Sequence, residues 1–137
     1  MSEDDKSFML EILTPDRVIF SGEIIYLRAP GIEGSFGVLK NHIPFLTALD
    51  IGEIEVETSD QKYFFAAGGG FAEVLNNVVS ILAETAERAD EIDVERAKKA
   101  RERAEARLRA RTEGVNANRA RAALVRAMTR LKIASKI

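Results

Sequence analysis

Few side chains in this sequence could do chemistry, and their distribution is uneven. There is one histidine, His42, and no cysteine. A lone imidazole without a thiolate or a second histidine cannot make a typical zinc site, and thiol or disulfide chemistry is excluded. As a general base, His42 would need an oriented nucleophile, and no Gly-x-Ser-x-Gly turn supplies one. A structural or interface role fits it better. The stretch Gly31-Ile32-Glu33-Gly34-Ser35-Phe36-Gly37 is rich in glycine but lacks the Gly-Lys-Ser/Thr of a phosphate loop. It reads as tight turns between strands. The carboxylates are dispersed along strands and turns, as on a solvated face. What is concentrated is the guanidinium group: from Ala89 to Ile137, 14 Lys or Arg stand against 7 Asp or Glu, a formal charge of +7.

Such a segment calls for an anionic partner: nucleic acid, an acidic protein surface or a nucleotide. Nucleic acid is disfavoured, because no aromatic residue follows Ala89 and stacking is unavailable. Insertion at a membrane surface needs bulky apolar anchors, and this segment offers mostly alanine, 12 of its residues. An acidic protein surface or a bound phosphate chain remains.

The elements that would position these groups fall into two bodies. The chain has 137 residues, 46% hydrophobic and 31% charged, with a net charge of −2 that conceals the split. Residues 1–88 carry 6 basic and 15 acidic residues, a formal −9, with eight of the nine glycines, all three prolines and all seven phenylalanines. Short apolar runs recur there between turn signals: Phe8 to Leu13 before Thr14-Pro15-Asp16, Val18 to Phe20, Glu23 to Ala29 before Pro30-Gly31, and Phe45 to Leu49. Ile54-Glu55-Val56-Glu57 alternates and is followed by Ser59-Asp60. Tyr63 to Ala66, Phe71 to Leu75 and, after Asn76-Asn77, Val78 to Ala83 complete the series. This predicts about ten short strands in an antiparallel β-sandwich.

Residues 89–137 predict two helices. Asp90 or Asp93 can cap the first, with Ile92, Ala97, Ala100, Ala104 and Leu108 on one face. Thr112-Glu113-Gly114 breaks it. Asn116 or Asn118 can cap the second, whose stripe is Ala120, Leu124, Ala127 or Met128, Leu131 and Ala134. The fold class is therefore α+β: a sandwich over residues 1–88 and an antiparallel two-helix hairpin over 89–137. Alanine stripes bury little area, so the hairpin should be marginal by itself and able to detach. Fully extended, about 42 helical residues would span roughly 60 Å. No apolar run is long enough to cross a bilayer, and the acidic start, Met1 to Lys6, does not read as a secretory signal.

This layout resembles the epsilon subunit of F-type ATP synthases. The resemblance covers essentially the whole chain. It is carried by Leu10 to Phe20 with Ser21-Gly22, by Gly34-Ser35-Phe36-Gly37-Val38-Leu39, and by Asn41-His42-Ile43-Pro44-Phe45-Leu46-Thr47. Leu49-Asp50-Ile51-Gly52, Gly68-Gly69-Gly70-Phe71-Ala72-Glu73-Val74 and Val78-Val79-Ser80-Ile81-Leu82-Ala83 continue it. The resemblance implies a rotor central-stalk subunit, non-catalytic alone, peripheral on the cytoplasmic face of the plasma membrane. Its sandwich would grip the gamma subunit and sit on the c-subunit ring, with Glu33, Ser35 and His42 in the ring-facing loops. Its hairpin would permit ATP hydrolysis when docked. When extended, it would meet the catalytic alpha and beta subunits and inhibit.

A narrower likeness lies in Ile92-Asp93-Val94-Glu95-Arg96-Ala97, which fits the Ile/Leu-Asp-x-x-Arg-Ala motif with which some bacterial members of the family bind ATP. Glu87, Arg103, Arg126 and Arg130 match the outlying positions. The resemblance thus implies ATP as a regulatory ligand of Glu87, Ile92, Asp93, Arg96, Ala97, Arg103, Arg126 and Arg130, with no required cofactor, no metal and no hydrolysis at that site. The alternative is a free-standing ATP-sensing protein that acts outside the synthase.

Overall fold

The structure, a computed structural model, describes residues 6–110 and 116–136. The expected helix break at Thr112-Glu113-Gly114 and most of the acidic N-terminal stretch lie outside the described residues. Eight strands come first: β1 (Phe8–Leu13), β2 (Val18–Ile24), β3 (Tyr26–Gly31), β4 (Gly34–Val38), β5 (Phe45–Glu57), β6 (Lys62–Leu75), β7 (Val78–Ala83) and β8 (Ala86–Arg88). A short 3₁₀ turn, Ala89–Glu91, leads to α1 (Val94–Ala110) and then α2 (Ala117–Ala134).

The strands run β2-β1-β7-β6-β5-β3-β4 in a sheet folded over on itself, with β8 added to β6. Pairing is antiparallel as expected, except that β1 lies parallel to β7, with Met9 opposite Val78. Eight strands form where about ten short ones were expected, because two pairs of runs fuse. Phe45 to Leu49 and Ile51 to Val56 make the 13-residue β5, and Tyr63 to Ala66 and Phe71 to Leu75 make the 14-residue β6. Gly68-Gly69-Gly70 lies in the middle of this long strand β6. Its first half pairs with β8 through Phe65 to Ala67, and its second half with β7 through Gly70 to Leu75. Gly69 and Gly70 have φ of 109° and 129°, and a Cβ on Gly70 would overlap the Leu82 carbonyl oxygen. The glycine-rich stretch after Pro30 also yields a strand, β4, which pairs back on β3.

The turn signals at Thr14 to Asp16, Ser59-Asp60 and Asn76-Asn77 sit between strands as read. Asn76 and Asn77 have φ of 50° and 63°, the left-handed pair that a two-residue hairpin demands. The inner faces bury Leu10, Ile12, Ile24, Leu27, Ile54, Phe65 and Ile81 completely.

Asp93 caps α1, its Oδ1 accepting from Arg96 N at 3.1 Å, and Asn116 caps α2 in the same way through Arg119 N. The helices pack side by side with only residues 111–116 between them, so they run antiparallel. Ala97 and Ala104 on α1, and Ala120 and Ala127 on α2, are their buried residues on this seam, spaced seven apart as a close helical contact requires. Ile133 is fully buried although the expected stripe passes through Leu131 and Ala134 instead. Six positions beyond Ala127, it sits about 240° round the axis, so it serves a second face. There it joins Ala66, Ala89, Ile92 and Phe64, against the sandwich.

Lys136 completes this attachment. Its Nζ lies 2.9 Å from Glu53 Oε1 and 4.9 Å from the Phe64 ring centre. Glu53 Oε1 is buried without a hydrogen bond of good geometry, so the ammonium charge is what compensates it. Glu53 Oε2 accepts from Arg28 at 2.7 Å, and Arg28 also reaches Glu55 at 3.1 Å.

Two stability predictions follow from these positions. Gly70→Ala should lower the urea-measured stability of the sandwich by at least ~2 kcal/mol, since it combines a disfavoured φ with a backbone overlap. Ile133→Ala should weaken docking by about 2–4 kcal/mol. Amide hydrogen exchange should then speed up in α2 and stay unchanged in the strands.

Candidate functional site

Where α2 passes over the sandwich it leaves a cleft of about 410 Å³. One wall is the turn between β1 and β2, with Thr14, Asp16 and Arg17. The floor is Ala66, Ala67 and Gly68 of β6 together with Glu84 to Glu87. The far wall is Ala100 of α1 with Ala123, Arg126, Ala127, Thr129 and Arg130 of α2. Its volume falls within the range of small-ligand sites.

Of the eight positions assigned to ATP by resemblance, Glu87, Arg126 and Arg130 line this cleft. Glu87 is placed by β8, where it pairs with Ala66. Its carboxylate accepts from the Arg130 guanidinium, an ion pair of two part-buried groups 43 residues apart in sequence. Arg126 sits one helical turn before Arg130 and makes no ion pair among the described residues. Arg96 and Arg103 are exposed on α1, four residues before and three after the cleft-lining Ala100, hence on the same helical face. Ile92 is packed in the cluster around Ile133, Ala97 is buried on the helix seam, and Asp93 is occupied as the α1 cap.

The segment that delivers these groups is pinned beside the cleft. Arg88 donates to Asp90 at 2.7 and 3.1 Å and lies 5.5 Å over the Tyr63 ring. The hydrogen bond from Arg88 holds the Asp90 carboxyl below the usual carboxylate range. Arg17 and Thr14 are cleft residues that sequence reasoning missed; nothing in their local pattern marks them, because only the fold brings the first turn under α2.

The residues expected to face a ring lie elsewhere. Glu33 is exposed in the β3–β4 turn, and Ser35 is exposed on β4, opposite Pro30. His42 is in the loop at the other end of β4, where its Nδ1 lies 2.7 Å from the Ile43 carbonyl. A line of ring contacts, His42 to Phe45 at 6.0 Å and Phe45 to Phe36 at 5.1 Å, connects that loop to the middle of β4. Asn41 and Asn77 hydrogen-bond each other across two loops, at 2.6 and 3.2 Å.

A further surface escaped the sequence reading. Register places Met9, Val78 and Leu75 in one row across β1, β7 and β6, and Leu82 and Phe71 in the row after next on the same face. All five are exposed, Phe71 by 58% and Leu82 by 56%. Glu11, Ser80 and Glu73 form the row between them, also directed outward, so a polar row divides the two apolar ones. The available signal was the alternation of β6 and β7, whose outward positions include Phe71, Leu75, Val78 and Leu82, with only Glu73 and Ser80 polar among them, where a free sheet face would be mostly polar.

A sandwich followed by a helical segment of this kind has matches among known proteins. Residues 7–89 match the family model of the ATP synthase delta/epsilon chain β-sandwich domain, and residues 90–135 that of its long α-helix domain. The ATP synthase epsilon chain of Nitratidesulfovibrio vulgaris is 50% identical over 129 residues, 94% of this chain and 96% of that one. The epsilon chain of Syntrophomonas wolfei is 48% identical over 135 residues, 96% and 97% of the two chains. A chain of the Euglena gracilis mitochondrial ATP synthase, solved with OSCP, F1 and the c-ring, superposes with a TM-score of 0.81 at 28% identity, covering 96% of this chain and 82% of that chain. A chain from the Tetrahymena thermophila enzyme's central stalk and c-ring shares the fold, with a TM-score of 0.59 at 13% identity over 93% of both. The chain belongs to the delta/epsilon family of ATP synthase chains. Like the relatives of that name, it is an epsilon-type, non-catalytic subunit of the synthase.

Proposed function

We propose that the chain works in the rotor central stalk of a proton-driven synthase, peripheral on the cytoplasmic face of the plasma membrane. The sandwich joins the gamma subunit to the c-ring, and the helix pair regulates ATP hydrolysis. The observation that carries the regulatory part is the nature of the attachment. The pair rests on the sandwich through the Ile133 cluster, the Lys136–Glu53 contact and the Glu87–Arg130 ion pair, with alanines elsewhere on its buried faces. An apolar contact of this size, aided by part-exposed ion pairs, can be released at modest cost. Once released, the +7 segment is suited to acidic surfaces on the alpha and beta subunits.

The apolar rows around Phe71 and Leu82 support a gamma-binding face. A chain working alone as an ATP sensor would have no reason to leave them uncovered. Glu33, Ser35 and His42, with the exposed Ile32 and Ile43, support contact with the c-ring.

ATP fits the cleft as a regulatory ligand. Arg126 offers a planar fork for a phosphate chain, Arg130 could join it by exchanging Glu87 for phosphate, and Arg96 and Arg103 are available on the adjoining face of α1. Glu87, whose Oε1 holds Arg130, can accept from an adenine amino group through its other oxygen; Asp93 could do so only through the oxygen that does not cap α1. Bound ATP would stabilise the docked state by mass action, and the cleft has no phosphate loop for hydrolysis.

Phe71→Glu with Leu82→Glu should abolish co-purification with gamma while leaving the thermal unfolding of the isolated chain within a few degrees. Retention of gamma by that variant would remove the assigned face. Calorimetric titration should show ATP binding to the isolated chain, weakened about tenfold or more by Arg126→Ala and by Arg103→Ala. Absence of binding by the parent chain would eliminate the ligand and leave the stalk role standing.

A further inference from the structure

Six charged side chains line the cleft: Asp16, Arg17, Glu84, Glu87, Arg126 and Arg130. They do not pair off completely. Arg130 is taken by Glu87, and Asp16 Oδ1 accepts from Thr14 Oγ1 at 2.8 Å. Arg17, Glu84 and Arg126 make no ion pair among the described residues.

The two uncommitted guanidiniums come from separate bodies. Arg126 belongs to α2. Arg17 closes the turn between β1 and β2, where Thr14 N donates to its carbonyl at 3.0 Å and Thr14 Oγ1 lies 3.3 Å from the same oxygen. The backbone at Arg17 is therefore fixed beside the cleft, while its side chain takes no part in fixing it.

We propose that Arg17 and Arg126 are the two jaws of a clamp on the phosphate chain of the nucleotide, joining the first turn of the sandwich to α2. The clamp rests on the nucleotide reading above and adds a residue from the other body. Its consequence is regulatory. A ligand gripped only by the helices would travel with them, whereas one gripped from both sides must be released before α2 can leave.

The sign pattern of the cleft also selects among anions. Guanidiniums bind phosphate oxygens bidentately. Glu84 repels phosphate but accepts from ribose hydroxyls or an amino group. A nucleotide matches both signs, and a bare polyphosphate matches only one.

The test is calorimetry at fixed ionic strength on the full chain, titrating ATP, AMP and inorganic tripolyphosphate into the parent, Arg17→Gln, Arg17→Lys and Arg126→Gln. Arg17→Gln should weaken ATP about tenfold, the loss of one charge-assisted contact. It should weaken AMP less than about twofold, and Arg17→Lys should fall between. Amide exchange in α2 at saturating ATP supplies the second reading: protection should be smaller in Arg17→Gln than in the parent. If Arg17→Gln binds ATP like the parent while Arg126→Gln does not, the clamp is wrong and the nucleotide site stands. Tripolyphosphate binding more tightly than ATP would overturn the assignment to a nucleotide. No binding of either by the parent would remove clamp and site together.

Discussion

The burial of Ile133 against the sheet is the contact on which the arrangement of the two bodies depends. Opposite formal charges of −9 and +7 draw them together over distances of about a Debye length, a pull that salt screens. Such attraction sets no register. Ile133 does, because it must enter the cluster of Phe64, Ala66, Ala89 and Ile92, and it thereby fixes the height of α2 over the strands. Arg126 and Arg130 are brought over Glu87 as a result. The alanines on the other face of α2 hold α1 close without adding much buried area, so the helix pair behaves as one unit attached along one line.

The glycine triplet in β6 works at the other end of the same chain of causes. By changing partner from β8 to β7 across Gly68 to Gly70, one strand serves both halves of the fold. Its first half sets Glu87 opposite Ala66 and gives the cleft a floor of small residues. Its second half carries Phe71 and Leu75 outward into the uncovered apolar face. A side chain at Gly70 would disturb the strand exchange on which both surfaces depend.

Much of this was legible in the sequence. Charge and composition separated the two bodies; Asp93 was one of two cap candidates for α1, with Asp90, and Asn116 one of two for α2, with Asn118, while Asn76-Asn77 marked a hairpin. The fused strands were not legible, because three consecutive glycines carry the same local signal in a turn as in a strand that changes partner. Ile133 was missed because one helical stripe was sought where α2 has two buried faces. For the candidate site, Glu87, Arg126 and Arg130 were named before their convergence was visible, whereas Arg17 enters only through long-range topology. The gamma-side candidates also required register: no run of sequence brings Met9 beside Val78.

The pairing of Glu53 has a bearing on the proposed release of the helices. Glu53 holds Lys136 with one oxygen and Arg28 with the other, and Arg28 is shared with Glu55. Departure of Lys136 opens one oxygen to water while the carboxylate keeps its partner within the sandwich. No buried ion is orphaned, and the penalty of a stranded charge, several kcal/mol where a buried pair is broken outright, does not enter the barrier. The docking surface left by such a release would keep its shape, since Arg28, Glu53 and Glu55 tie β3 to β5 within the sandwich itself. The docked position would thus be a preformed berth, one that a returning helix would find intact and would not have to rebuild.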